Sequence, residues 1–353
     1  MSRPQEPHRP FFPHGNPFRM IFPKGSYLSP KLQALLNNFE ETLAGRLRKL
    51  VPKHKDDVFS ISWMILAVQL LSETHNDIKS LITDLELPVV DWDDKWIDVY
   101  LDNSVKLLDI CITLSSELSR LSQGQLLLRC VLCNLDQTRS SETLKAKSSI
   151  NSWRQHIGAR NPKIENCFSI IDKLMESLEL PKVKNSAKGK TLMRAMYGVR
   201  VQTLFVCSAL MSALTASDKK LVDFHVAGTY LWAAAFSDLQ RFVFGEIRNL
   251  VLSDRKHHLV KELEAVATSV GELYPMLQEG VEPIETDSLQ KSVAELRKCT
   301  DKLSSGLDLL AKEVDGYFQI LLSGRDALLC NLRLSGSVID SSKKHKMEEQ
   351  TVR

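Results

Sequence analysis

Gly189-Lys190-Thr191 ends as a phosphate-binding loop ends, with a lysine to reach phosphate and a hydroxyl to reach magnesium. Such a loop also needs an earlier glycine, where the backbone wraps the phosphates, and a strand to aim it. Lys184 stands at that glycine's position, and the preceding "IENCFSIIDKLMESLEL" reads as a helix. Nucleotide binding is not expected here. A second candidate is "DWDDKWIDVYLD", Asp91 to Asp102. On a helix Trp92, Trp96 and Tyr100 form one stripe, and Asp94, Asp98 and Asp102 form another on a different face.

Aspartate clusters of this general kind hold magnesium against a diphosphate in helical isoprenoid synthases. Their usual spacing is DDxxD, whereas Asp93-Asp94 is followed by Asp98, one residue too far. The second metal motif of those enzymes, roughly (N/D)Dxx(S/T)xxxE, is matched by "NDIKSLITD" with Asn76, Ser80 and Asp84 as ligands, Asp84 replacing the glutamate. It lies upstream of the first motif rather than far downstream. The favoured reading is that Asp91 caps a helix, the acids suit its positive first turn, and the aromatics face the core. The alternative is a magnesium-dependent, isoprenoid-metabolising helical enzyme built on Asp93, Asp94, Asp98, Asn76, Ser80 and Asp84.

Other catalytic signatures are missing from the sequence: there is no HExxH, GxSxG or GxGxxG, and His257-His258 lack ligands at metal spacing. The seven cysteines form an odd, scattered set without a secretory signal, which points to reduced thiols in an intracellular compartment, most of them buried. Cys130 and Cys133 make a lone CxxC inside "LLLRCVLCNL", an apolar helix, so neither zinc nor redox chemistry is expected there. The chain is therefore read as no enzyme, with no cofactor and no metal. A net charge of +3 gives no reason to expect a nucleic-acid partner.

No acidic residue occurs between Glu179 and Asp218, while Lys182, Lys184, Lys188, Lys190, Arg194 and Arg200 crowd its first half. These six cations are the candidate surface for a protein partner or an anionic membrane. The uncharged run Val201 to Ser217 follows, 17 residues long, where a span ordinarily needs about 20. Two readings stay open for it: a core helix apolar on nearly all sides, or a membrane-inserted or interfacial segment. If it spans, the upstream cations remain on the cytosolic side.

The elements that must position these residues are helical. Residues 1–30 hold seven of the thirteen prolines and four phenylalanines, which predicts an extended Pro/Phe-rich arm. With Arg3, Arg9, Arg19 and a single acid, Glu6, the arm faintly resembles an organellar transit peptide, though it is serine-poor and broken by proline. From Lys31 the apolar spacing is three-and-four, and helices are expected over 31–51, 56–82, 92–121, 123–136, 143–157, 163–179, 189–215, 219–251, 255–274 and 287–333. Leu289, Val293, Leu296, Thr300, Leu303, Leu307, Leu310, Val314, Tyr317 and Leu321 form an a/d heptad seam. Few charges flank it, so it should pack on helices of the same chain, the 255–274 helix first. The predicted fold is all-α: an elongated multi-helix bundle over 31–340, with a subdivision near 181–218 left open, and a charged, disordered tail at 341–353.

Five blocks carry a family resemblance: "SPKLQALLNNFE", "ETHNDIKSLITDLELPVVDWDDKWIDVYLDNSVKLLDIC", "SSINSWRQHIGARNPKIENC", "LPKVKNSAKGKTLMRAMYGV" and "LSDRKHHLVKELEAVATSVGELYP". In these the chain resembles the plant BYPASS and BYPASS-related proteins, from the arm to about residue 275, with the weakest match just after residue 215. The resemblance implies a mainly helical plant protein without an assigned enzymatic activity. It also implies a developmental role, restraining a root-derived, carotenoid-dependent mobile signal that would otherwise arrest shoot and leaf growth. No catalytic residue comes with the resemblance. It leaves the location open between a chloroplast and a membrane association at the cytosolic face or the endoplasmic reticulum.

Overall fold

The computed structural model describes residues 28–54, 57–85, 95–136, 140–159, 161–179, 183, 186–215, 221–252, 259–277 and 286–351. The expected arm falls outside them up to residue 27. Among the described residues the chain is all-α, as the periodicity predicts. The helices are α1 (Pro30–Leu50), α2 (Ile61–Asp84), α3 (Lys95–Leu135), α4 (Ser140–Gly158), α5 (Lys163–Glu176), α6 (Ala187–Thr215), α7 (Ala233–Leu252), α8 (Lys261–Met276) and α9 (Thr286–Thr351).

Local chemistry sets the first two boundaries. Ser29 accepts a hydrogen bond from the Leu32 N–H (3.3 Å), and Pro30 follows where its missing N–H costs nothing. Ser60 caps α2 by accepting from the Trp63 N–H at 3.2 Å. Between the two helices Phe59 takes a left-handed backbone with φ 58° while its ring is buried. That corner is held from outside: its carbonyl accepts from the Lys261 N–H (3.3 Å), and the Ile61 N–H donates to Glu262 Oε2 (3.0 Å). The start of α8 thereby locks the start of α2.

One continuous set of buried side chains runs from Phe39 to Leu321, with α6 inside it. Among the described residues α6 alone is long and apolar enough to cross a membrane, and 83% of its most apolar stretch is buried within the protein. It packs against α1, α2 and α5. The α9 seam behaves as its spacing predicts: Leu296, Thr300, Leu303, Leu307, Leu310, Val314, Tyr317 and Leu321 are buried. The expected neighbour α8 is there, and α2 and α3 cover the rest of the seam.

Three boundaries differ from expectation. The helices expected over 92–121 and 123–136 are one, α3, and Gly124 between them is no break. A β-carbon there would meet Ile157 Cδ1 at 3.0 Å, so the glycine marks where α4 crosses closely. The helix expected from 219 begins only at Ala233. Before it, Gln240 accepts from the Phe224 N–H (3.0 Å) and donates to the Phe224 carbonyl (3.1 Å), using up backbone groups a helix would pair. Finally, α9 continues as helix to Thr351 where a disordered tail was expected. Between Ser337 and Thr351 there is no glycine or proline, and lysine, methionine, glutamate and glutamine favour the helix.

Gly198 sits where α6 meets α1 and Trp232: a β-carbon would lie 2.7 Å from Leu43 Cδ2 and 3.2 Å from Trp232 Nε1, both side chains being buried. Gly198→Ala should therefore lower stability by about 1–2 kcal/mol, overpacking outweighing the gain in helix propensity. Gly271, exposed on α8 with open space around it, gives the opposite sign on Gly271→Ala, up to about 1 kcal/mol more stable. Urea unfolding of the two variants beside the parent checks both signs.

Candidate functional site

The six cations do not form one exposed face. Lys182 and Lys184 lie outside the described residues, and Lys188 and Lys190 are half-buried in the first turn of α6. Arg194 and Arg200 point into the protein, which corrects their assignment to a partner or membrane surface. Both have partners distant in sequence, which charge counting cannot see.

Arg194 meets Glu40 of α1, a carboxylate that is 1% exposed. Its Nε and Nη2 both donate to that carboxylate, Nη2 to Oε2 at 3.2 Å. Nη2 also donates to the Thr229 carbonyl at 2.7 Å, and the guanidinium lies 4.6 Å from the centroid of the Tyr230 ring. The Leu231 N–H completes the set by donating to Glu40 Oε2 at 2.8 Å. Burial pushes the Tyr230 phenol up to about 12 against the opposing pull of Arg194, so it stays neutral. Arg200 donates through Nη2 to the Ser177 carbonyl and to its hydroxyl (3.1 Å), closing the C-terminal end of α5. Burial lowers its pKa to about 10, with Asp102 partly opposing.

A second buried arginine, Arg46, joins α1 to α2. Its Nε reaches Glu73 at 3.0 Å and its Nη1 reaches Asp77 at 2.6 Å, while Nη1 also donates to the Thr74 hydroxyl at 3.3 Å. On the same turn of α2, His75 Nε2 lies 3.1 Å from the Thr203 hydroxyl of α6 and 3.1 Å from the Tyr317 hydroxyl of α9. Burial lowers the imidazole to about 4 and raises the Tyr317 phenol well above its ordinary value, so both are neutral at physiological pH. Neither Glu40 nor His75 was a candidate by motif. A signal existed for both: Glu40 lies four residues after Leu36 and three before Leu43, and His75 stands likewise between Leu71 and Ile78. A polar residue on a buried face marks a partnered group.

The metal-enzyme alternative is not assembled by the described residues. Asn76, Ser80 and Asp84 are exposed on α2 and Asp98 is exposed at the start of α3, while Asp93 and Asp94 lie outside the described residues. Among the described residues no three His, Cys, Asp or Glu side chains gather as a metal site. Of the cysteines, Cys111, Cys167 and Cys207 are buried, burial raising the first two to about 12. Cys130, Cys133 and Cys330 are exposed, which corrects the expectation that most are core thiols. A surface groove of about 600 Å³ between α2, α8 and α9 carries charges of both signs, Lys302 pairing across it with Glu262 and Lys298 pairing along α9 with Glu295, each at 3.7 Å.

A family model described as Protein BPS1 matches residues 69–314. The chain belongs to the BPS1 family. It is 53% identical over 338 residues to "Protein BPS1, chloroplastic" of Arabidopsis thaliana, covering 96% of this chain and 95% of that one. It is 40% identical over 446 aligned positions to "UPF0496 protein 4" of Oryza sativa subsp. japonica, covering 95% of this chain and 98% of that one. A more distant relative is "Protein ROH1D" of Arabidopsis thaliana, 20% identical over 84% of this chain. No solved structure matches. The BPS1 match opens inside α2, six residues before His75, and closes at Val314 in the α9 seam, so it leaves out α1 and Glu40.

Two outcomes follow from this geometry. Glu40→Gln leaves the Arg194 guanidinium without its counter-charge, and should cost about 3–5 kcal/mol of unfolding free energy; adding Arg194→Met should return part of it. A double-mutant cycle in urea reads the coupling. For His75, the unfolded chain takes up a proton near pH 6.5 while the folded chain resists until about 4. Stability should therefore be complete above pH 6.5 and fall by about 3 kcal/mol as the pH drops to 4. His75→Gln should flatten that slope, as measured by unfolding curves across the window.

Proposed function

We propose that this chain is a non-enzymatic regulator of plant root and shoot development, working by protein contacts in the chloroplast. The observation that carries this reading is the 53% identity, over 96% of the chain, to a relative whose name says chloroplastic. The resemblance of the five sequence blocks supplies the finer role, restraint of a root-derived, carotenoid-dependent mobile signal. The use of its buried charges supports contact over catalysis. Glu40, Arg46, Arg194 and Arg200 each close a junction between helices, and His75 and Tyr317 are held neutral inside the bundle.

Lys188 and Lys190 stand in the first turn of α6, and Lys182 and Lys184 precede it in the sequence. An acidic protein surface or an anionic membrane would meet them by the same Coulomb attraction. Because α6 is enclosed by α1, α2 and α5, a membrane reached through these lysines would be touched at its surface and not crossed.

Expression in a plant lacking its BPS1 relative tests the role. The wild-type chain is expected to accumulate in chloroplasts and restore leaf growth. The variant with Lys182, Lys184, Lys188 and Lys190 all changed to glutamate should restore it less at equal protein level. Full rescue by that variant removes the basic segment from the mechanism, and failure of the wild-type chain removes the role itself.

A further inference from the structure

Cys130 and Cys133 stand on one face near the end of α3, and both are exposed. Their exposure removes the reading of this pair as core thiols. Both line a single surface groove of about 680 Å³, where the last turns of α3 run beside α4. Of the other thiols, Cys111, Cys167 and Cys207 are buried, while Cys299 and Cys330 stand far apart on α9. Among the described residues, Cys130 and Cys133 are thus the exposed thiols placed to act together.

Helix geometry decides what such a pair can do. Positions i and i+3 of a helix hold their β-carbons about 5–6 Å apart. A disulfide needs about 3.5–4.5 Å, so closing one requires α3 to unwind at this point. The backbone is held against that on both sides of the pair. The Asp136 N–H donates to the Leu132 carbonyl at 3.1 Å, and both oxygens of the Asp136 carboxylate accept from Arg297 of α9 at 2.9 Å. On the other side Arg129 donates to the Ser304 hydroxyl of α9 at 3.2 Å. Two sulfurs on opposite sides of one metal ion, by contrast, stand twice a metal–thiolate bond apart, about 4.6 Å. Each thiol reaches that separation by leaning inward from its own β-carbon, with no change in the backbone.

The ligand set selects the ion. Magnesium and calcium want oxygen ligands, and a structural zinc wants four nitrogen or sulfur ligands. No Asp, Glu or His is among the described residues that line the groove. Copper(I) is soft, prefers thiolate, and is satisfied by two ligands in line. We propose that Cys130 and Cys133 bind one copper(I) ion as a two-coordinate bis-thiolate site. Two thiols and one copper(I) give a complex with one net negative charge and release two protons; no electron is transferred. Arg129 and Lys145 line the same groove and supply the opposing charge.

The test is an oxygen-free titration of the reduced full chain with copper(I) presented as its bicinchoninate complex. The wild-type chain should withdraw one copper per chain, and two protons per copper should appear in weakly buffered solution. Cys130→Ser and Cys133→Ser should each weaken binding by at least about a hundredfold, with helical circular dichroism unchanged. Cys330→Ser, exposed on α9, is the control and should bind like the wild type. A wild-type chain that takes no copper from bicinchoninate overturns the proposal, as does a Cys330→Ser loss equal to the other two. Displacement of the copper by an equal concentration of zinc overturns it as well. A chain that takes no copper but closes a disulfide between Cys130 and Cys133 on mild oxidation assigns the pair to redox exchange instead, and the copper site falls.

Discussion

The carboxylate of Glu40 is the constraint on which this arrangement turns. Placed on the apolar face of α1, it requires compensation for its lost hydration. Arg194 supplies charge from α6, and Leu231 supplies a backbone N–H from the segment before α7. Because these partners come from different parts of the chain, satisfying one ion fixes three elements. The aromatic group around it, with Tyr197 stacked on Tyr230 at 5.1 Å and Trp232 edge-on to Phe236 at 5.9 Å, fills the space that this geometry leaves. The missing β-carbon of Gly198 is part of the same fit.

Elsewhere the bundle repeats the device with less charge. His75, Thr203 and Tyr317 join α2, α6 and α9 through neutral groups, while Glu262 of α8 satisfies an orphan N–H at the start of α2. Apolar burial brings the helices together, since nearly the whole of α6 is covered. Close packing, as at Gly198 and Gly124, and directional polar contacts between distant helices together select their register.

Much of this was legible in the sequence because it rests on spacing. The α9 seam is buried from Leu296 to Leu321 as the heptad pattern requires. What could not be read rests on contacts between residues far apart. Arg194 looks like one more cation in a basic block, and only the fold brings it to Glu40, 154 residues away. Gly124 looks like a helix break until Ile157 is seen against it. Residues 221–232 have a helical composition, yet Gln240 and Glu40 hold their backbone open. In each case a tertiary partner overrides local propensity.

The distance along the chain between partners has a consequence for how the protein comes into being. Ile61 waits for Glu262, 201 residues later; Gln69 waits for Glu313, 244 later; His75 waits for Tyr317, 242 later. At ordinary ribosome speeds that interval is about 10–50 s. Throughout it α2 is complete but one of its faces has nothing to rest on. The contacts of α2 with α8 and α9 therefore form only after the last helix is synthesised, although Arg46 ties α2 to α1 long before. Until α9 is made, the uncovered face of α2 is the surface most open to wrong contacts.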